Sequence, residues 1–144
     1  DRPPTMVYRP SSAVTRKLTM DNQFSLSRLL VSNGTFCFTN GIILTLAAKP
    51  LADFLDTLPI VMSILGIGLI FYGAFVTYMA TRLIITKGFT LFTILADSAW
   101  VLLSILLLVL PTFNFTAGAK WAIGITAICV DTFATLQFLE WRKM

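Results

Sequence analysis

Four apolar stretches, each of twenty or more residues, leave this chain few folds to adopt. They run over about residues 29–48, 58–81, 89–110 and 119–139. At 1.5 Å per residue, about 20 helical residues match the hydrocarbon thickness of a bilayer. A segment crossing that layer has to satisfy its own backbone hydrogen bonds, which favours helices. The stretches are apolar throughout and do not alternate with polar residues, so the sequence predicts an all-α fold. The expected architecture is a four-helix transmembrane bundle. Composition agrees: 56% of the 144 residues are hydrophobic and 12% charged, where a soluble domain carries about 25% charged residues. The length suits one domain, here residues 24–144.

Charge and proline mark the ends of each stretch. Arg28 stands at the entry of the first span, and Lys49-Pro50 follows it. Arg82 closes the second, Lys87-Gly88 opens the third and Pro111 stops it. Gly118 precedes the fourth, which runs out into Glu140, Trp141, Arg142 and Lys143. Nine of the eleven basic residues fall in the N-terminal segment with Arg28, the Arg82–Lys87 turn and the C-terminus; only Lys49 and Lys120 lie on the opposite side. This bias predicts cytoplasmic N- and C-termini. Counted from Met20 the bias keeps its sign.

Two connections and the N-terminal tail have features of their own. Between Lys49 and Thr57, Leu51, Phe54, Leu55 and Leu58 share a helical face while Asp53 and Asp56 lie on the other. This predicts a short interfacial helix in the first outer loop. Asp56 or Thr57 is then the expected cap of the second span, with Pro59 in its first turn. Asn114-Phe115-Thr116 has the form of a glycosylation sequon. Residues 1–23 carry Arg2, Arg9, Arg16, Lys17 and three prolines without an apolar core, so they read as a flexible basic tail and not as a signal peptide. Met20 is the expected natural start, which would make residues 1–19 non-native.

What the chain lacks excludes several chemistries. It contains no histidine, which removes histidine-ligated metal or haem and His-dependent nucleophilic catalysis. Cys37 and Cys129 are separate and inside spans, so no C-x-x-C redox pair exists. The net charge of +4 reflects residues at span ends, which points to anionic lipid and not to nucleic acid. No metal or cofactor is expected, and no catalytic residue.

The polar residues inside the spans are the candidates for function. Small residues mark where helices approach closely in lipid; such a stripe includes Ser63, Gly66, Gly73 and Thr77 in the second span and Gly124 and Ala127 in the fourth. Asn33, Cys37, Asn40 and Gly41 mark one face of the first. Asp97 and Asp131 are the costly ones, because an aspartate at a helix centre costs roughly 2.5–3.5 kcal/mol on the insertion scale. Counting residues places both about 12 Å from the same membrane boundary, level with Tyr72 and Cys37, with Asn40 a turn deeper. An intramembrane cluster of Asp97, Asp131, Tyr72, Asn40, Asn33 and Trp100 follows. With no Lys or Arg at that depth, at least one carboxyl is expected to be neutral and to donate a hydrogen bond. Three readings stay open. The carboxyls bond across helices and set their order, they form a proton or cation relay, or they border a lipid, pigment or subunit site with Trp100 in its wall.

The segment Ala96-Asp97-Ser98-Ala99-Trp100-Val101 with Ser104, and Phe133-Ala134-Thr135-Leu136-Gln137 near the end, resemble small uncharacterised bacterial four-span membrane proteins over about residues 24–143. The resemblance implies this architecture in a bacterial inner membrane and carries no activity. Small multidrug exporters, membrane glutathione transferases and leukotriene synthases, and quinone-linked disulfide enzymes each depend on acidic, basic or cysteine motifs missing here. The sequence therefore reads as a multi-pass structural or accessory membrane protein. Its expected partners are membrane lipids and another membrane protein or further copies of itself. The alternative is a small proton-coupled transporter using Asp97 and Asp131.

Overall fold

A computed structural model describes residues 12–82, 84–110 and 115–144, with side chains from residue 20 onward. Five helices form: α1 (Ser12–Leu46), α2 (Ala48–Leu55), α3 (Pro59–Ala80), α4 (Lys87–Val109) and α5 (Ala117–Trp141). No strand occurs among the described residues. Four of these helices, all but α2, are long and apolar enough to cross a membrane. Pro111 and Asn114 of the sequon lie outside the described residues, as do residues 1–11.

The helix ends follow local chemistry. Thr86 caps α4 by accepting the Phe89 N–H at 3.3 Å, and Thr116 caps α5 by accepting the Ala119 N–H at 3.2 Å. Pro50 does not stop the chain where the first span was expected to end. It sits in the first turn of α2, where its missing N–H has no intrahelical partner to lose. A proline ring clashes with the carbonyl four residues earlier, here Leu46, and α1 ends at that residue. The expected cap of the second span is also different. Leu58 is the N-cap of α3, without a side-chain hydrogen bond, and Pro59 opens the helix. Asp56 instead ends α2 in the left-handed conformation (φ 51°), its N–H donating to Ala52 O. Aspartate is among the few non-glycine residues that visit this region.

Residues 12–23 of the expected flexible tail are helical, because α1 begins at Ser12. Its stretch after Pro10 holds no further proline to interrupt a helix. Gln23 fastens a turn to this helix. Its Oε1 accepts the Ile85 N–H at 3.1 Å and its Nε2 donates to the Ile85 carbonyl at 3.4 Å. That pair pins the connection between α3 and α4 to α1. Ser27 adds a bond to the Ala80 carbonyl at 2.7 Å, beside a buried cluster of Leu26, Leu30, Val76, Ala80 and Ile85.

The bundle is two helix pairs. α1 and α3 share the most extensive interface, α4 and α5 the next, and α1 also packs on α5. Lipid offers no hydrophobic drive between helices, so close backbone approach takes its place. Gly34 and Gly41 of α1 face Gly73 and Gly66 of α3 in antiparallel order. A Cβ on Gly41 would lie 2.7 Å from the Gly66 carbonyl oxygen, and one on Gly34 would lie 2.8 Å from that of Gly73. Only glycine permits that separation. Ala48 and Ala52 lay α2 against Met62 at the far end, and Phe54 covers Gly118 at the start of α5. The remaining faces carry exposed Ile64, Phe71, Leu102, Trp121 and Ile128. Such an exterior is compatible with lipid and not with water.

At the opposite end from α2, basic side chains lie over aromatic rings: Arg28 over Phe24, Arg82 over Tyr78, Lys87 over Trp141 and Arg142 over Phe138. Trp141 also donates to the Lys87 carbonyl at 3.2 Å, and Arg82 hydrogen-bonds the Tyr78 hydroxyl. Aromatic and basic residues at one level are the usual anchors of a membrane boundary.

Candidate functional site

Asp97 is the centre of the polar interior. It lies on the buried face of α4 with Thr90, Thr93, Ile94 and Ser104, and is 3% exposed. Each of the other three spans donates to it. Asn33 Nδ2 of α1 reaches Oδ2 at 2.6 Å, Gln137 Nε2 of α5 reaches the same oxygen at 3.3 Å, and the Tyr72 hydroxyl of α3 reaches Oδ1 at 3.1 Å. The orientation of Asn33 is fixed from behind, because Cys37 Sγ donates to its Oδ1 at 3.7 Å. Asn33 and Gln137 are fully buried. Gln137 Oε1 has no hydrogen-bond partner among the described residues.

The residues singled out from sequence separate into those the fold gathers and those it does not. Asp97, Asn33 and Tyr72 meet in one network. Asn40 donates to the Phe36 carbonyl of its own helix at 2.8 Å and lines a cavity beside that network, as does Trp100. Asp131 is outside the cluster. It is exposed, whereas the buried face of α5 consists of Ala119, Ala127, Val130, Ala134 and Gln137. Asp131 follows Val130 by one residue, a turn of about 100° around the helix, and that carries its carboxyl away from Asp97.

In the packing stripe, Gly66 and Gly73 make the close approach to α1, and Thr77 touches the Gly34 position. Ser63 bonds back to the Pro59 carbonyl at 3.1 Å. Ala127 is buried, while a Cβ on Gly124 would meet nothing within 4 Å. Gly34 completes the stripe from α1.

Gln137 is the partner that counting depth along the chain does not find, since it lies six residues nearer the helix end than Asp131. Helical side chains lean toward the N-terminus of their own helix. Asp97 and Gln137 stand on antiparallel helices, so each leans toward the other and closes the gap. Its position three residues after Ala134 and seven after Val130 is the sequence signal that places it on the inward face.

A cavity of about 200 Å³ opens against Asp97 on the side toward α2. All four spans line it: Phe36 and Asn40 from α1, Tyr72 from α3, Asp97 and Trp100 from α4, Thr126 from α5. The walls are mostly aromatic and aliphatic, with Asp97 as the one carboxyl among them. Cys37, also on the wall, is a free thiol, as is Cys129.

The fold and site define a multi-pass integral membrane protein with one acidic group held at the centre of its helices. Compared with protein-family models, with curated proteins and with solved structures, the chain has no match.

Proposed function

We propose that this protein acts by association and not by covalent chemistry, as a structural or accessory subunit among lipids and other membrane proteins. Its setting would be a bacterial inner membrane with both termini on the cytoplasmic side. The observation that carries the reading is the state of Asp97: three donors from three other helices occupy its oxygens. A group so engaged is suited to holding helices in order. Hydrogen bonds to charged groups contribute about 1.5–3 kcal/mol each. Two of these bonds join α4 to α1 and α3, with which it shares little backbone contact. The test is extraction in a mild detergent after chemical cross-linking in the membrane. A discrete complex, with another membrane protein or with further copies, is expected, and Asp97→Asn should preserve it. A lone monomer under every condition rejects the accessory role.

Proton-coupled transport is a second reading, favoured by the cavity beside Asp97. Asp131 stands apart from that cavity, so a relay would run on Asp97 alone. Proton-linked flux in proteoliposomes that disappears in Asp97→Asn and persists in Asp131→Asn would then replace the accessory reading.

A further inference from the structure

We infer that the cavity beside Asp97 binds a small lipophilic ammonium ion, a protonated or quaternary amine carrying one aromatic or compact alkyl group. The inference does not depend on the accessory role and goes beyond it. The partners of Asp97 are neutral donors: two amides and a phenol. They hold the carboxyl oxygens in place and bring no positive charge to them. A carboxylate accepts at about four lone-pair positions, and three are used here. The basic side chains Arg28, Arg82 and Lys87 lie at the bundle end against Phe24, Tyr78 and Trp141. Among the described residues no basic side chain pairs with Asp97, and the cation that completes this site is a ligand.

The walls decide what kind of cation. Phe36, Tyr72 and Trp100 supply aromatic rings, and ring faces attract organic ammonium groups most strongly where water is excluded. Asn40 has its amide nitrogen committed to the Phe36 carbonyl at 2.8 Å, which leaves Oδ1 to accept a further ammonium proton. An inorganic cation would find one carboxylate and few other oxygens, short of the six or more that calcium takes. The cavity measures about 200 Å³, somewhat more than the roughly 150 Å³ that holds benzene, so one ring with an aminomethyl group fits.

The probe is benzylammonium, with benzyl alcohol as a neutral analogue of nearly the same shape. The full chain is placed in lipid nanodiscs at neutral pH with Trp121→Phe and Trp141→Phe, so that Trp100 alone reports. Benzylammonium should change Trp100 emission saturably, with benzyl alcohol at least tenfold weaker. Asp97→Asn should abolish that preference for charge. Ala96→Leu, which fills the cavity and retains Asp97, should abolish saturable binding of both. Because the comparison of the two probes in this reporter background needs no change at Asp97, the proposal is testable even if Asp97→Asn fails to fold. Equal binding of the two probes, binding unaffected by Ala96→Leu, or no saturable response to benzylammonium each overturns it.

Discussion

The two aspartates within the spans have opposite surroundings although they are chemically identical. Asp97 has three donors, and its closest bond, from Asn33, is also the one whose geometry a second residue enforces through Cys37. Replacing Asn33 with leucine removes this bond and leaves both the Asp97 oxygen and the Cys37 thiol short of a partner. A loss of about 1.5–3 kcal/mol is expected, measured by unfolding in mixed micelles. Gln137→Leu should behave differently. It breaks a bond of 3.3 Å but also removes an acceptor that is buried without a partner among the described residues. Those effects oppose each other, so its stability should stay within about 1 kcal/mol of the parent. If Gln137→Leu proves as damaging as Asn33→Leu, that oxygen is satisfied in the membrane by a water or lipid group.

Among the helices, the contact between α1 and α3 is the most demanding of residue size. Gly73 meets the Gly34 carbonyl and the Phe38 backbone, and a Cβ there would lie 2.5 Å from the Phe38 nitrogen. Gly73→Ala should therefore cost about 1–3 kcal/mol through overpacking. Gly68, on the same helix, faces open space: an added methyl group would meet nothing within 4 Å. Gly68→Ala should stabilise by about 0.5–1 kcal/mol, the ordinary gain of alanine over glycine in a helix. Thermal unfolding of the two variants side by side distinguishes close helix contact from helix propensity, since only the first predicts opposite signs.

At the scale of the molecule, two antiparallel pairs are joined by α1 against α5 and by the bonds to Asp97. Each pair has its own interface, so the connecting turn between α3 and α4 is not needed to hold it together. A chain divided in that turn and produced as two fragments should reassemble in the membrane, as separately inserted helices do when their packing surfaces are intact. Asp97→Leu should reduce recovery of the paired fragments severalfold, because it leaves donors on three helices unmatched. Co-purification through a tag on one fragment measures this. Undiminished recovery would mean that α1 and α5 alone join the pairs.

The span count and positions were legible in the sequence because insertion into lipid is a local requirement. The 58–81 stretch corresponds to α3 at Pro59–Ala80 and the 89–110 stretch to α4 at Lys87–Val109. Each backbone must satisfy its own hydrogen bonds wherever its neighbours are. The candidate site was legible only in part. Depth can be counted along a chain, and it brought Asp97, Tyr72 and Cys37 to one level, but it placed Asp131 there too because it treats every direction around a helix alike. Rotation of α5 about its axis, set by Ala127, Val130 and Ala134 packing inward, turns Asp131 out and Gln137 in. The sequence by itself determined how many helices cross the membrane and which costly groups they carry. Tertiary packing alone decided which of those groups meet, because contact depends on azimuth and side-chain lean, and both are settled between helices.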